Sequence, residues 1–243
     1  MKSTLKWFII GIIVVALGAA IMITTLSVYG WTAASPAYTL TTYTEQNENT
    51  SLEIEIGSGN VKTEFYDGDK IEITYPNGSS YNNSFDENAG KLLFRSEIKW
   101  YASFFGFGIW NSPDIVIKIP KDRIPDLYLD ISAGTVNLAS GTYNKIKLDV
   151  SAGKLDATSV YCSELECDLS AGTLDLQELT CPVIDLDVSA GSLKLGVVGD
   201  KNEYNITVDI SAGSCNVSTQ TGTNDDKRIS VDVSAGSVDI KFS

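Results

Sequence analysis

One ten-residue unit recurs six times in this chain. It reads LDISAGTVNL from Leu129, LDVSAGKLDA from Leu148, CDLSAGTLDL from Cys167, LDVSAGSLKL from Leu186, VDISAGSCNV from Val208 and VDVSAGSVDI from Val231. The unit glycines Gly134, Gly153, Gly172, Gly191, Gly213 and Gly236 are spaced 19, 19, 19, 22 and 23 residues apart. A period near 20 marks stacked repeats, each too small to bury its own apolar face and therefore stacked on its neighbours. The Ser-Ala-Gly triplet is thus a building unit: a nucleophile has no reason to occur six times at even spacing. A weaker seventh copy, IEIGSGNVKT from Ile54, puts Glu55 at the aspartate position and Gly59 at the glycine.

Within each unit apolar and polar residues alternate, the two-residue period of a strand with one buried face. In the second unit Ile146, Leu148, Val150 and Ala152 point one way, and Lys147, Asp149 and Ser151 the other. Aligning the units gives aliphatic columns. Leu127, Ile146, Leu165, Ile184, Ile206 and Ile229 fill one, Ile131, Val150, Leu169, Val188, Ile210 and Val233 a second, and Val136, Leu155, Leu174, Leu193, Cys215 and Val238 a third beyond the glycine. The glycine reads as a corner, a bend or positive φ that a residue with a β-carbon adopts reluctantly.

The expected fold is all-β: a parallel β-solenoid (β-helix) of about 19–23 residues per coil, whose strands pair with the same strands of the next coil at roughly 4.8 Å. Residues 126–243 form the regular solenoid with six coils, and 51–125 an irregular N-terminal part. An antiparallel sandwich also predicts alternation, but not six near-identical strands in register.

The N-terminus sets where such a domain resides. Phe8 to Val28 is a run of 21 uncharged, mostly apolar residues, long enough to cross a hydrocarbon core of about 30 Å as one transmembrane helix. Lys2 and Lys6 precede it and the next charge is Glu45. The positive-inside rule then leaves residues 1–7 in the cytoplasm and the C-terminal domain outside a plasma membrane crossed once. The alternative, a cleaved signal peptide, has an apolar region of about 7–15 residues and a small-residue cleavage site. Residues 29–50 read as a linker or stalk that enters a first strand near Tyr38.

Charge narrows the partners. Asp and Glu number 31 against 18 Lys and Arg, a net charge of -13, which opposes nucleic acid and anionic lipid headgroups. Histidine is absent, and no pattern calls for a cofactor. The aspartates Asp130, Asp149, Asp168, Asp187, Asp209 and Asp232 would stack into an acidic ladder. Either each carboxylate accepts hydrogen bonds from neighbouring serines or corner amides, or the column takes up a cation such as calcium, although the glycine-dense nonapeptide pattern of calcium-binding β-rolls is missing. A polysaccharide-cleaving enzyme would need one singular pair of acids, and these acids are repetitive, so no catalytic residue is assigned.

Two further features stand out. Of the four cysteines, Cys167 and Cys215 fall in apolar columns, whereas Cys162 and Cys181 occupy the same position 19 residues apart. Adjacent coils would bring their α-carbons within disulfide range. The least repetitive stretch, Lys99 to Trp110, carries Trp100, Tyr101, Phe104, Phe105, Phe107 and Trp110. It reads either as an apolar flap over the N-terminal part or as a contact surface for the membrane or a partner.

The tandem D-[IVL]-S-A-G units, the run IVIKIPKDRIPDL from Ile115 and LEIEIGSGNVKTEF from Leu52 together resemble the bacterial putative-adhesin family of unknown function that includes LiaG-like and YvlB-like envelope proteins. The resemblance covers residues ~40–243 and implies a right-handed solenoid and, for several members, an envelope-stress setting. It carries over no ligand and no catalytic residue. The expected function is a membrane-anchored, non-catalytic surface module with an envelope protein or glycan as partner; cation or glycan binding by the aspartate face is the alternative. The last unit ends at Ser243, so weak end-to-end self-association through Val238 and Ile240 is also expected.

Overall fold

A computed structural model describes residues 38–99 and 114–243, all within the unit Pro36–Ser243. The expected transmembrane helix 8–28, the N-terminus 1–7, the first part of the stalk and the aromatic residues 100–110 lie outside the described residues. Among the described residues no helix is long and apolar enough to cross a membrane.

The N-terminal strands are β1 (Tyr38–Thr44), β2 (Ser51–Ile56), β3 (Gly59–Tyr66), β4 (Glu72–Gly78), β5 (Tyr81–Asn88), β6 (Lys91–Ile98) and β7 (Ile115–Pro120). The repeats supply β8 (Asp126–Leu138), β9 (Gly141–Thr142), β10 (Lys145–Tyr161), β11 (Glu164–Leu169), β12 (Thr173–Thr180), β13 (Val183–Val188), β14 (Ser192–Val197), β15 (Asn205–Ile210), β16 (Ser214–Cys215), β17 (Arg228–Val233) and β18 (Ser237–Phe242). In the first two units one long strand runs through the Ser-Ala-Gly corner; in the later units it is split there.

Strands before the corner form one ladder and strands after it a second. In the first, β6, β2, β8, β10, β11 and β13 pair in parallel, with Leu52 opposite Leu127, Leu127 opposite Ile146 and Ile146 opposite Leu165. In the second, β7, β3, β8, β10, β12 and β14 do the same. The architecture is all-β and solenoid-like. The N-terminal end departs from it, because β4 runs antiparallel to β7 and β1, and β5 antiparallel to β6. Residues 38–50 are part of the fold: Glu45 is 1% exposed and takes a salt bridge from Arg123 (2.5 Å).

The coils do not stack in sequence order. The fifth unit does not sit on the fourth; instead β13 pairs with β17 of the sixth unit, Ile184 opposite Ile229, and β17 then pairs with β15, Ile229 opposite Ile206. Likewise β18 lies between β14 and β16. The sequence expectation that the sixth unit carries the open edge is therefore corrected: Val238 and Ile240 are buried. The end strands are β15 and β16, and Ile210 of the second aliphatic column is 41% exposed there. The edge is blunted by polar groups. Asn216 Nδ2 donates to Ile240 O (2.9 Å), and Ile240 N–H donates to Asn216 Oδ1 (2.8 Å). Val208 N–H donates to Thr219 Oγ1 (3.0 Å), and Ile206 exchanges backbone bonds with Gln220. A side-chain amide here stands in for a strand residue at the end of the ladder.

The corner glycines also need a revised explanation. Among the described corners only Gly59 (φ 142°) and Gly134 (φ 144°) have a positive φ. Elsewhere the reason is proximity. A β-carbon on Gly172 would lie 2.4 Å from Gly153 O and 2.9 Å from Gly153 N. The glycines form their own column, in which each backbone rests on the one beneath it.

Candidate interaction face

The outward-facing side chains of the first ladder put the acidic residues in strict register. Glu55 lies opposite Asp130, Asp130 opposite Asp149, Asp149 opposite Asp168, Asp168 opposite Asp187, Asp187 opposite Asp232 and Asp232 opposite Asp209. The result is one uninterrupted column of seven carboxylates at a strand spacing of about 4.8 Å. Inserting the sixth unit exchanges the places of Asp209 and Asp232 without breaking the column. Each carboxylate is there because alternation sends it outward when Leu129, Leu148, Cys167 and their equivalents point in.

The flanking columns carry mixed charge. Two residues before the aspartates, Lys147 pairs with Glu166; at the outer margin Lys145 pairs with Glu164 (2.6 Å). Lys91 pairs with Glu53. At one end Arg95 closes the aspartate column through Nε to Glu55 Oε2 (2.5 Å), beside a shallow pocket of about 170 Å³ lined by Glu55, Gly57, Arg95, Glu97, Asp130 and Ser132. The sequence alone gives Arg95 no partner. Alternation in KLLFRSEI places it outward, but only the pairing of β6 with β2, 40 residues earlier, sets it beside Glu55.

The electrostatics follow from this stacking. Burial, then the charges of Asp149, Glu55 and Glu53, push the Asp130 carboxyl above its ordinary value against the pull of Arg95. Asp168 is raised first by burial; Lys147 opposes the rise, and Glu166, Asp149 and Asp187 add to it. Like charges at this spacing repel by roughly 1 kcal/mol or less in water and more where solvent is partly excluded.

The corner amides do not relieve that repulsion. Ser170 and Ala171 N–H donate to Val150 O (3.0 Å) and Ser151 O (2.8 Å), and Ser189 and Ala190 repeat the pattern on Leu169 O and Ser170 O. The reading in which corner amides satisfy the aspartates is thereby corrected, because those amides are consumed in holding coil to coil. The ladder aspartates face solvent. Among the described residues no three acidic or cysteine side chains converge as a metal site would require; the ladder carboxylates stand side by side instead. A second groove of about 350 Å³, on the other ladder, is lined by Asp175, Gln177, Lys194, Asp239 and Lys241, a mixture of both signs.

Elsewhere, Glu87 organises the chain after β1. Burial works to raise its carboxyl, but hydrogen bonds from Tyr43 Oη (2.7 Å), Gln46 N–H (2.7 Å), and the backbone (2.9 Å) and side-chain (3.0 Å) N–H groups of Asn47 outweigh it. They hold it down at about 2. Cys162 and Cys181 are buried free thiols in neighbouring coils; Cys167 is buried, and Cys215 is half-buried at the end strand.

The sequence model of the family described as Toastrack DUF4097 matches residues 49–243. No curated protein matches significantly. Among solved structures, a putative cell adhesion protein from Clostridium sporogenes is similar at 9% identity and a TM-score of 0.43, covering 85% of this chain and 100% of its own. A putative adhesin from Bacteroides fragilis is similar at 12% identity and a TM-score of 0.32, covering 84% and 98%.

Proposed function

Because the chain belongs to the Toastrack DUF4097 family over residues 49–243, a family of adhesin-like proteins of unknown function, we propose that it is a non-catalytic surface module of the cell envelope. In this reading Phe8 to Val28 holds it in the plasma membrane, and the solenoid stands on the extracytoplasmic side. Its coils wind to the right, as parallel crossover connections within a sheet do. An envelope-stress setting belongs to the same proposal and rests on the family resemblance.

The observation that supports the reading best is the seven-carboxylate column from Glu55 to Asp209. A linear array of equivalent charges suits repeated contact with an extended, cationic partner, an amine-bearing glycan or a basic envelope protein. It does not supply the singular acid pair that glycan cleavage uses. Long-range attraction of this kind is screened over a Debye length of about 8 Å at physiological salt.

Full-length protein in neutral-lipid vesicles therefore binds an oligolysine peptide at 50 mM salt, and loses that binding progressively toward 500 mM. The triple variant Asp149→Asn, Asp168→Asn, Asp187→Asn weakens it by about tenfold or more, if each charge is worth about 0.5 kcal/mol in the complex. Unchanged binding by the triple variant, with an intact fold, would remove the ladder from the account.

A further inference from the structure

Two of the four cysteines sit one above the other in adjacent coils, and the register is fixed on both sides of them. Before them, Val160 and Tyr161 of β10 lie opposite Leu179 and Thr180 of β12; after them, Glu164 of β11 lies opposite Val183 of β13. Cys162 N–H closes the junction by donating to Thr180 O (3.0 Å). The position is interior: Cys162 is 8% exposed and Cys181 1%. The same site one coil earlier holds the buried Tyr143, whose N–H donates to Tyr161 O (2.8 Å). On the far side the buried Tyr204 hydroxyl donates to Cys181 O (3.1 Å). Two small thiols thus occupy adjacent levels of a column that Tyr143 fills one level earlier and that the Tyr204 hydroxyl reaches from the far side.

The nearness of the two side chains lowers the Cys181 thiol from its ordinary pKa and raises that of Cys162. Cys181 Sγ also lies 3.1 Å from Val183 O. The other two cysteines have no such partner in register. Cys167 stands between Leu148 and Leu186, and burial pushes its thiol up to about 12; Cys215 lies opposite Val238.

We propose that Cys162 and Cys181 are a disulfide-forming pair, a covalent staple between adjacent coils that closes in the folded chain on exposure to a small-molecule disulfide. One thiolate attacks a sulfur of the oxidant, giving a mixed disulfide and one released thiol. The second thiolate then displaces the remaining half. The protein loses two protons and two electrons, and the oxidant leaves as two thiols. Neighbouring strands are spaced about 4.8 Å apart, inside the Cα separation of about 4.4–6.8 Å that disulfides use. The bond joins positions 19 residues apart.

The test uses the full chain, reduced and then incubated natively with oxidised glutathione, denatured, alkylated and weighed. The expected product has two alkylated cysteines, Cys167 and Cys215, and a peptide linking Cys162 to Cys181. Its thermal midpoint is higher than that of the reduced protein by about 6–12 °C, the shift expected for a loop of this size in a domain of this length. Cys162→Ser and Cys181→Ser each abolish the cross-link, whereas Cys167→Ser leaves it intact. Four alkylated cysteines after native oxidation, or a cross-link engaging Cys167 or Cys215, overturns the proposal.

Discussion

Arg123→Ala lowers the stability of the solenoid by about 3 kcal/mol, at the lower end of what breaking a buried ion pair costs because the guanidinium keeps some contact with solvent. The reason is the carboxylate left behind. Glu45 is 1% exposed, and its Oε1 accepts from Arg123 Nη1 (2.5 Å) and from Ile71 N–H (2.9 Å). Asn49 Nδ2 donates to its other oxygen (3.4 Å), and Arg123 Nη2 reaches Asp69 O (2.6 Å). The cluster joins the end of β1, the start of β4 and the segment after β7, so it latches the antiparallel N-terminal strands onto the stack. Arg123→Lys recovers part of the loss at most, since a single ammonium cannot serve both Glu45 and Asp69. Adding Glu45→Gln to Arg123→Ala also restores part of it by removing the stranded charge. Lys121→Ala, which removes an exposed pair with Asp67 (3.0 Å), changes stability by about 0.5 kcal/mol or less. Urea unfolding read by circular dichroism distinguishes these outcomes; an Arg123→Ala effect as small as that of Lys121→Ala would deny the latch.

Gly172→Ala lowers the unfolding midpoint by about 4–8 °C, corresponding to roughly 2 kcal/mol in a domain of this length. The direction is the informative part. Where a glycine has ordinary backbone angles, alanine usually stabilises by about 0.4–1 kcal/mol through the unfolded chain, and Gly172 is not among the positive-φ residues. Here the added carbon meets Gly153 O at 2.4 Å, and neither backbone can retreat without opening the ladders on both sides of the corner. Ser170→Ala, on an exposed side chain of the same corner, leaves the midpoint within about 1–2 °C. A midpoint that is unchanged or raised in Gly172→Ala would mean that the coils are not in backbone contact at this column.

The strand faces, the aliphatic columns and the acidic column were legible in the sequence, because a period of two in a repeating unit dictates which side chains share a wall. The order of the coils was not. The interacting residues of the fifth and sixth units are nearly identical, Ile206 and Val208 against Ile229 and Val231, so either could dock on Ile184 and Leu186 at similar energy. What differs is the arm after the corner. In the sixth unit it is a full strand, Ser237–Phe242, with Val238 and Ile240 inward; in the fifth it stops after Ser214–Cys215. The complete arm is buried in the stack, and the truncated one, whose Asn216 satisfies the last ladder groups, is left at the end. That signal lies in NVSTQT against DIKF, and it acquires meaning only once the stack has an end to cap. The Glu45–Arg123 latch was equally hidden, since it joins residues 78 positions apart outside any repeat. The role of Arg95 depended on a pairing between β2 and β6 that no repeat announces.

The interleaving of the sixth unit decides where the stack ends, so the most direct test is the neighbour of β13. Cross-strand amide and methyl nuclear Overhauser effects in the isotope-labelled protein report it, because adjacent strands lie about 4.8 Å apart and next-nearest strands about twice that. The expected result is a set of contacts between residues 184–188 and 229–233, including the Ser234 amide that donates to Val188 O (3.0 Å), with none between 184–188 and 206–210. Contacts joining 184–188 to 206–210 would mean that the coils stack in sequence order, with the C-terminal strand at the open end.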